Sequence, residues 1–219
     1  FDPIDLTMRV ESGRQFDRIE RESAFRISRS GYMRLARTVE QWELVQSTIA
    51  SGDYPDTELI GPDRIAELVP GIEVDDVVGA MYGARDGYMD GPELCAAYLE
   101  IGRRSGVEYR REAAVLGLEE DAGGLRLETT RGAVHADVVV NAAGPWFGAV
   151  GELLGVRTPI DNQLHEIALL AVPSLADRQV PAVQTYFPGS GENAVYVRPE
   201  GEGRFLAGLH SYESQKESA

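Results

Sequence analysis

The segment "ADVVVNAAGPWFG", residues 136–148, constrains the chain more than any other. Its three successive valines read as a strand covered on both faces, the pattern of a buried parallel sheet. Asn141-Ala142-Ala143-Gly144-Pro145 then breaks the strand. "WFGAVGELLG" follows as a helix with Phe147, Val150 and Leu154 on one face and Gly155 behind it. A strand that runs straight into a helix calls for a βα layer, and ligands of open α/β sheets sit beyond the carboxyl ends of the strands. Small residues there let a ligand approach the backbone, and the helix start offers N–H groups and a positive dipole end. A close-packed structural turn uses the same residues, so both readings stand at this point.

A dinucleotide loop, G-x-G-x-x-G, belongs between a strand and a helix. The one formal match, "GSGENA" at residues 189–194, follows Pro188 and precedes the β-rich "VYVRP", which makes it a hairpin loop. The three histidines, His135, His165 and His210, have no metal-ligand spacing to one another or to Cys95, so no metal is expected. There is no G-x-S-x-G elbow. The balance of 21 basic against 36 acidic residues, a net charge of −15, argues against nucleic acid. No apolar run reaches the ~18 residues of a membrane span. A single cysteine excludes an internal disulfide and leads us to expect a reducing, cytoplasmic compartment.

The remaining pattern is mixed α/β. Residues 4–22 read as an amphipathic helix, and 24–28 and 32–36 as strands. Thr38 with Gln41 forms a capping box opening a helix to Ala50. "GPDRIAELVPG" is a short helix and residues 77–83 a strand. Asp90, Pro92 and Glu93 open a helix with Leu94, Ala97, Tyr98 and Ile101 on one face, closed by Gly106. Residues 107–109 read as a short strand, and 113–141 as three strands joined by glycine turns. From Thr158 the chain returns to β, ending in the hairpin "AVYVRPEGEGRFLAGLH". Residues 84–155 are therefore an α/β segment flanked by antiparallel β with helices, one domain interrupting another.

That hairpin carries the second candidate site. Arg198 lies two residues beyond Tyr196 and shares its face. A five-residue loop from Glu200 to Arg204 puts His210 on that face too, whereas a four-residue loop puts it on the other. An imidazole, a phenol and a guanidinium together suit a small anionic, amine-bearing substrate; a solvated polar sheet face is the alternative.

Four stretches occur in the order and spacing of a known family: "FRISRSGYMRLARTVEQWE", "GARDGYMDGPELCAAYLEIGRRSGVEY", "VVVNAAGPWFGAVGELLG" and "VYVRPEGEGRFLAGLH". Over nearly its whole length the chain resembles the glutathione-reductase-2-type flavoproteins, the D-amino-acid-oxidase-like family. It is most similar to the branch with sarcosine oxidase, dimethylglycine dehydrogenase and glycine oxidase. The resemblance implies part of an FAD-binding Rossmann-like domain with a β-meander (84–155) and an antiparallel-sheet substrate domain (1–83 and 156–219) flanked by helices. It implies an internal piece of a longer chain, without the G-x-G-x-x-G unit, that binds FAD weakly or not at all by itself. By position it assigns Val115, Ala142, Ala143, Gly144 and Trp146 to the cofactor, and Tyr196 and His210 to the reacting amine.

The chemistry implied is oxidation of a C–N bond by hydride transfer to flavin, giving an imine that hydrolyses. Many relatives carry an arginine where Leu164 precedes His165, so the carboxylate partner is assigned by sheet parity to Arg198. Relatives occur as monomers and within multi-subunit complexes, which leaves a larger oxidoreductase complex open. Two alternatives stay beside this one: a non-catalytic α+β module that binds small molecules or proteins, and a same-fold enzyme acting on a 2-hydroxy acid or glycerol phosphate.

Overall fold

The computed structural model describes residues 3–52, 54, 56–121, 124–160, 162, 165–187, 191 and 193–210. In chain order its elements are α1 (Pro3–Glu22), β1 (Tyr32–Ala36), α2 (Val39–Ala50), β2 (Thr57–Ile60), α3 (Pro62–Leu68), β3 (Gly79–Gly83) and α4 (Gly91–Arg104). Then come β4 (Val115–Asp121), β5 (Gly124–Thr129), β6 (Val134–Ala136), α5 (Phe147–Leu153), β7 (Ile167–Ala171), β8 (Ala182–Gln184), β9 (Ala194–Gly201) and β10 (Arg204–His210). Among the described residues they form two compact units: 3–104 with 165–210, and 105–162. The mixed α/β class and the pairing of an antiparallel sheet with a separate meander agree with the sequence reading.

The first unit is built on a sheet in the order β2-β3-β1-β8-β9-β10-β7. All neighbours are antiparallel except β1 and β8, which run parallel with Tyr32 opposite Ala182 and Arg34 opposite Gln184. Strand alternation decides what β1 buries. Met33 and Leu35 enter a core with Ile60, Ile65, Val77, Ala80 and Tyr82, while Tyr32 and Arg34 take the other face. A second cluster joins α1 to α4 through Ile19, Phe25 and Ala97.

Local signals hold where the sequence placed them. The Thr38 hydroxyl accepts from the Gln41 N–H at 3.2 Å, and the Gln41 side chain reaches back to the Arg37 N–H at 2.8 Å. Asp90 Oδ1 accepts from the Glu93 N–H at 2.8 Å. Three expectations need correction. Residues 24–28 form no strand; Ser28 makes one bridge, to Tyr88. Residues 107–109 are also outside any strand. Tyr98 leaves the helix face it was assigned to and is exposed, because Ala97, Leu94 and Ile101 already fill the contact with α1. The strand β2 was not foreseen; its Thr57-Glu58 half lacks the apolar alternation that marks a strand.

The second unit holds the antiparallel meander β4-β5-β6, with α5 packed on β4. Phe147, Val150 and Leu154 are the half-buried face of α5, as its spacing requires. Among the described residues of this unit only Gly151 is buried. The expected buried parallel strand is corrected here. Residues 138–140 pair with no described strand, and Val138 and Val140 are 76% and 82% exposed. A parallel strand is buried by neighbours on both edges and layers on both faces, and none of the described elements supplies them. The units divide at 104/105 and 164/165, whereas the sequence reading divided 83/84 and 155/156; α4 joins the first unit by packing on α1.

Candidate active site

The hairpin β9–β10 sets the geometry. Glu202 and Gly203 make its turn with positive φ of 53° and 69°, the two-residue form that matches strand twist. A bulge between Arg204 and Phe205 shifts the register by one, so Pro199 faces Phe205, Tyr196 faces Gly208, and Ala194 faces His210. This is the parity of the five-residue connection, and Tyr196, Arg198 and His210 share one face. The Tyr196 ring lies across Gly208, where an added Cβ would collide with the ring carbon and the hydroxyl. Glycine is thus the side chain that leaves room for the phenol.

Around His210 the sheet gathers aromatic rings. Tyr196 and Tyr186 lie with centroids 5.2 and 5.1 Å from its own, and His165 lies at 6.1 Å edge-on. A cavity of about 310 Å³ opens here, lined among others by Tyr32, Tyr88, His165, Gln184, Tyr196, Arg198 and His210. The Arg198 guanidinium sits 5.0 Å over the Tyr88 ring and donates from Nε to Glu200 at 2.9 Å. An aromatic enclosure of this size favours a small cation, since ring faces attract ammonium groups. Burial raises the Tyr32 phenol above its ordinary value, against the pull of the Arg34 charge, and burial lowers the Arg34 guanidinium.

The structure therefore brings Tyr196, Arg198 and His210 into one cavity. Arg198 already faces a carboxylate, so it is not an unengaged anion clamp. Tyr32, Tyr88, His165, Tyr186 and Gln184 were not singled out from sequence. For Tyr32 a signal existed: in "YMRLA" the polar-tipped Tyr32 and Arg34 alternate with Met33 and Leu35. For the others none existed, because their proximity arises from strands far apart in the chain.

The cofactor candidates lie in the second unit. Val115 opens β4 opposite Thr129, half-buried. The bend at 141–146 is tied by Asn141, whose Nδ2 donates to Phe147 O at 3.0 Å and whose Oδ1 accepts from the Ala143 N–H at 3.2 Å. Asn141 is a positioning residue that sequence reasoning passed over; an Asx turn beginning at a strand end was its available signal. Ala142 and Gly144 are exposed, Trp146 is 70% exposed, and a Cβ at Gly144 would meet nothing within 4 Å. The backbone of this bend is accessible, and among the described residues nothing packs closely against Gly144. Among the described residues no His, Cys, Asp and Glu cluster could hold a metal.

Comparison with known proteins identifies the family. Residues 4–219 match the family model described as DAO, FAD dependent oxidoreductase. Mitochondrial dimethylglycine dehydrogenase of Rattus norvegicus is 28% identical over 214 residues, 94% of this chain and 24% of that protein. The mitochondrial pyruvate dehydrogenase phosphatase regulatory subunit of Mus musculus is 27% identical over 168 residues, 74% of this chain and 19% of that protein. Among solved structures, L-proline dehydrogenase from P. horikoshii shares the fold with a TM-score of 0.81 at 21% identity, over 95% of this chain and 56% of that one. The chain thus spans about a quarter of the length of the dimethylglycine dehydrogenase it matches. With the family model covering nearly every residue, the chain belongs to the DAO family of FAD-dependent oxidoreductases.

Proposed function

We propose that this chain supplies the substrate-side sheet and part of the cofactor side of an enzyme that oxidises a small amine or amino acid of the sarcosine, dimethylglycine or glycine type. One observation carries the reading: Tyr196 and His210, 5.2 Å apart on one sheet face, stand in an aromatic-lined cavity of about 310 Å³. That volume lies at the small end of the range of ligand pockets, roughly 300–1,000 Å³, and has room for a small amine or amino acid. Similarity to dimethylglycine dehydrogenase over 94% of this chain supports the substrate class. FAD, when bound, accepts the hydride; the protein's own residues orient the amine and control its protonation. His210 is placed to hold or take the ammonium proton, and the rings of Tyr196 and Tyr88 confine the alkyl groups.

Residues 84–155 are assigned to the FAD side and 1–83 with 156–219 to the substrate side. The accessible bend at Ala142–Gly144 supports the first assignment. The second unit, with one buried residue among those described, offers too little enclosure to retain FAD unaided. A reducing, cytoplasmic setting rests on the exposed Cys95 alone.

A second reading is non-catalytic, and the likeness to a regulatory subunit favours it. His210→Ala in the full-length protein separates the two. We expect turnover of N-methyl amino acids to fall by about 100-fold or more, the scale of losing a general acid or base, with FAD content unchanged. Unchanged turnover removes His210 from the site; absence of turnover in the parent protein, with the fold intact, supports the regulatory reading.

A further inference from the structure

Arg198 is paired with Glu200 through Nε, and a substrate carboxylate entering this cavity has room for a second donor beside it. The floor of the cavity holds one. Tyr32 and Arg34 on β1 and Gln184 on β8 point to the same side of the sheet, and Gln184 is only 7% exposed. A guanidinium has donors only, so the Gln184 amide must turn its oxygen toward Arg34. In that orientation Oε1 accepts from Arg34 Nε at 2.9 Å and from Nη2 at 2.8 Å, and the amide nitrogen donates to the Tyr32 hydroxyl at 2.8 Å. The Tyr32 hydroxyl is also 2.8 Å from Oε1. That oxygen's two lone pairs already serve two charge-assisted donors. The Tyr32 oxygen is therefore the acceptor of the amide, which leaves its own proton for another acceptor, and Tyr32 lines the cavity. The Phe187 ring, 5.6 Å from the Arg34 guanidinium, packs against the far end of the relay.

We propose that Tyr32 is a substrate-binding residue that donates a hydrogen bond to a carboxylate oxygen of the substrate, and that Gln184 and Arg34 are positioning residues that fix this donor. The proposal deepens the reading of the cavity as a substrate site and rests on it. It assigns specificity for an acidic group to a neutral donor, with the aromatic rings opposite taking the ammonium.

The test uses the full-length flavoprotein and glycine betaine, which carries the carboxylate and a methylated ammonium but no nitrogen lone pair to oxidise. Binding is read by isothermal titration calorimetry. Tyr32→Phe is expected to weaken betaine about tenfold, the scale of one hydrogen bond to a charged group. Gln184→Glu keeps the size of the side chain and its acceptor toward Arg34, but makes the Tyr32 hydroxyl donate to it instead of to the cavity. It is expected to weaken betaine about as much while leaving the melting temperature unchanged, and to add nothing in combination with Tyr32→Phe. Additive losses, or full betaine affinity in Gln184→Glu, overturn the relay; full affinity in Tyr32→Phe overturns the donor. A second measurement does not depend on the ligand. The ¹³Cζ tyrosine resonance that disappears in Tyr32→Phe is expected to shift in Gln184→Glu, and an unmoved resonance overturns the relay. If the parent protein does not bind betaine, the carboxylate role of Tyr32 falls with the substrate reading, and the resonance alone decides the relay.

Discussion

In the first unit Met33 and Ile65 are wholly buried, while in the second Val138 and Val140 lie 76% and 82% exposed. Met33 lies in an alternating strand and Ile65 on the helix α3, whereas Val138 and Val140 belong to an unbroken valine run, the most apolar of the three stretches. The difference lies in what each strand has beside it. β1 is flanked by β3 and β8, and α3 contributes Ile65 to the core beneath it. Residues 138–140 have no described neighbour in a sheet. Apolar sequence becomes core only when another surface arrives to exclude water, and the hydrophobic gain is proportional to the area removed.

The sharpest way to break this comparison is amide hydrogen exchange on the whole chain. Amides of β1 and β3 should outlast those of β4–β6 by several orders of magnitude, since protection tracks buried contacts. Equal protection would show that the second unit has stability the burial pattern does not explain. Next in size, Met33→Ala should cost about 2–5 kcal/mol in urea unfolding, whereas Val140→Thr, at an exposed position, should stay within about 0.5 kcal/mol. A large loss from Val140→Thr would mean that its face is covered in solution.

Two further changes sharpen the account of the first unit. Gly208→Ala drives a methyl group into the Tyr196 ring and should cost about 1–3 kcal/mol, the range for overpacking, with Tyr196 displaced from His210. Native stability with the ring unmoved, read from a melting curve and a structure of the variant, would overturn the packing argument. The smallest effect is pH-dependent. Glu20 is held down to about 2, first by its bond to Arg29 and further by the Ile27 N–H, against the opposing effect of burial. Its folded value lies below the ordinary 4.5, so the unfolded chain binds more protons across that interval. The stabilisation is complete above about pH 5 and is lost as pH falls toward 2. Allowing for solvent screening of the paired arginine, it amounts to about 1 kcal/mol. Glu20→Gln should flatten that part of the stability–pH curve; an unchanged slope removes the pair from the ledger.

Much of this was legible beforehand because it is local. The caps at Thr38 and Asp90, the α5 face and the turn chemistry of the last hairpin depend on residues within a few positions of one another. The shared face of Tyr196, Arg198 and His210 was legible on one condition, the parity of the connection, because strand side chains alternate with a fixed period. Other features were beyond reach. Nothing near His165 marks it as a neighbour of His210, and nothing near Gln184 marks it as the partner of Arg34, 150 residues earlier, across the parallel β1–β8 pair. Tyr98 shows the converse: its helical spacing was right, but the space beside α1 was already filled by smaller neighbours.

By itself the sequence determined the mixed class, the helix starts, the strand parity and, through four stretches in a set order, the family. Only the tertiary structure decided which apolar runs become core, which arginine is already paired, and which polar groups meet around the cavity. The reason is physical. Propensity, capping and alternation are short-range terms read along the chain, whereas burial and hydrogen-bond partnership depend on whichever distant surface the fold brings into contact.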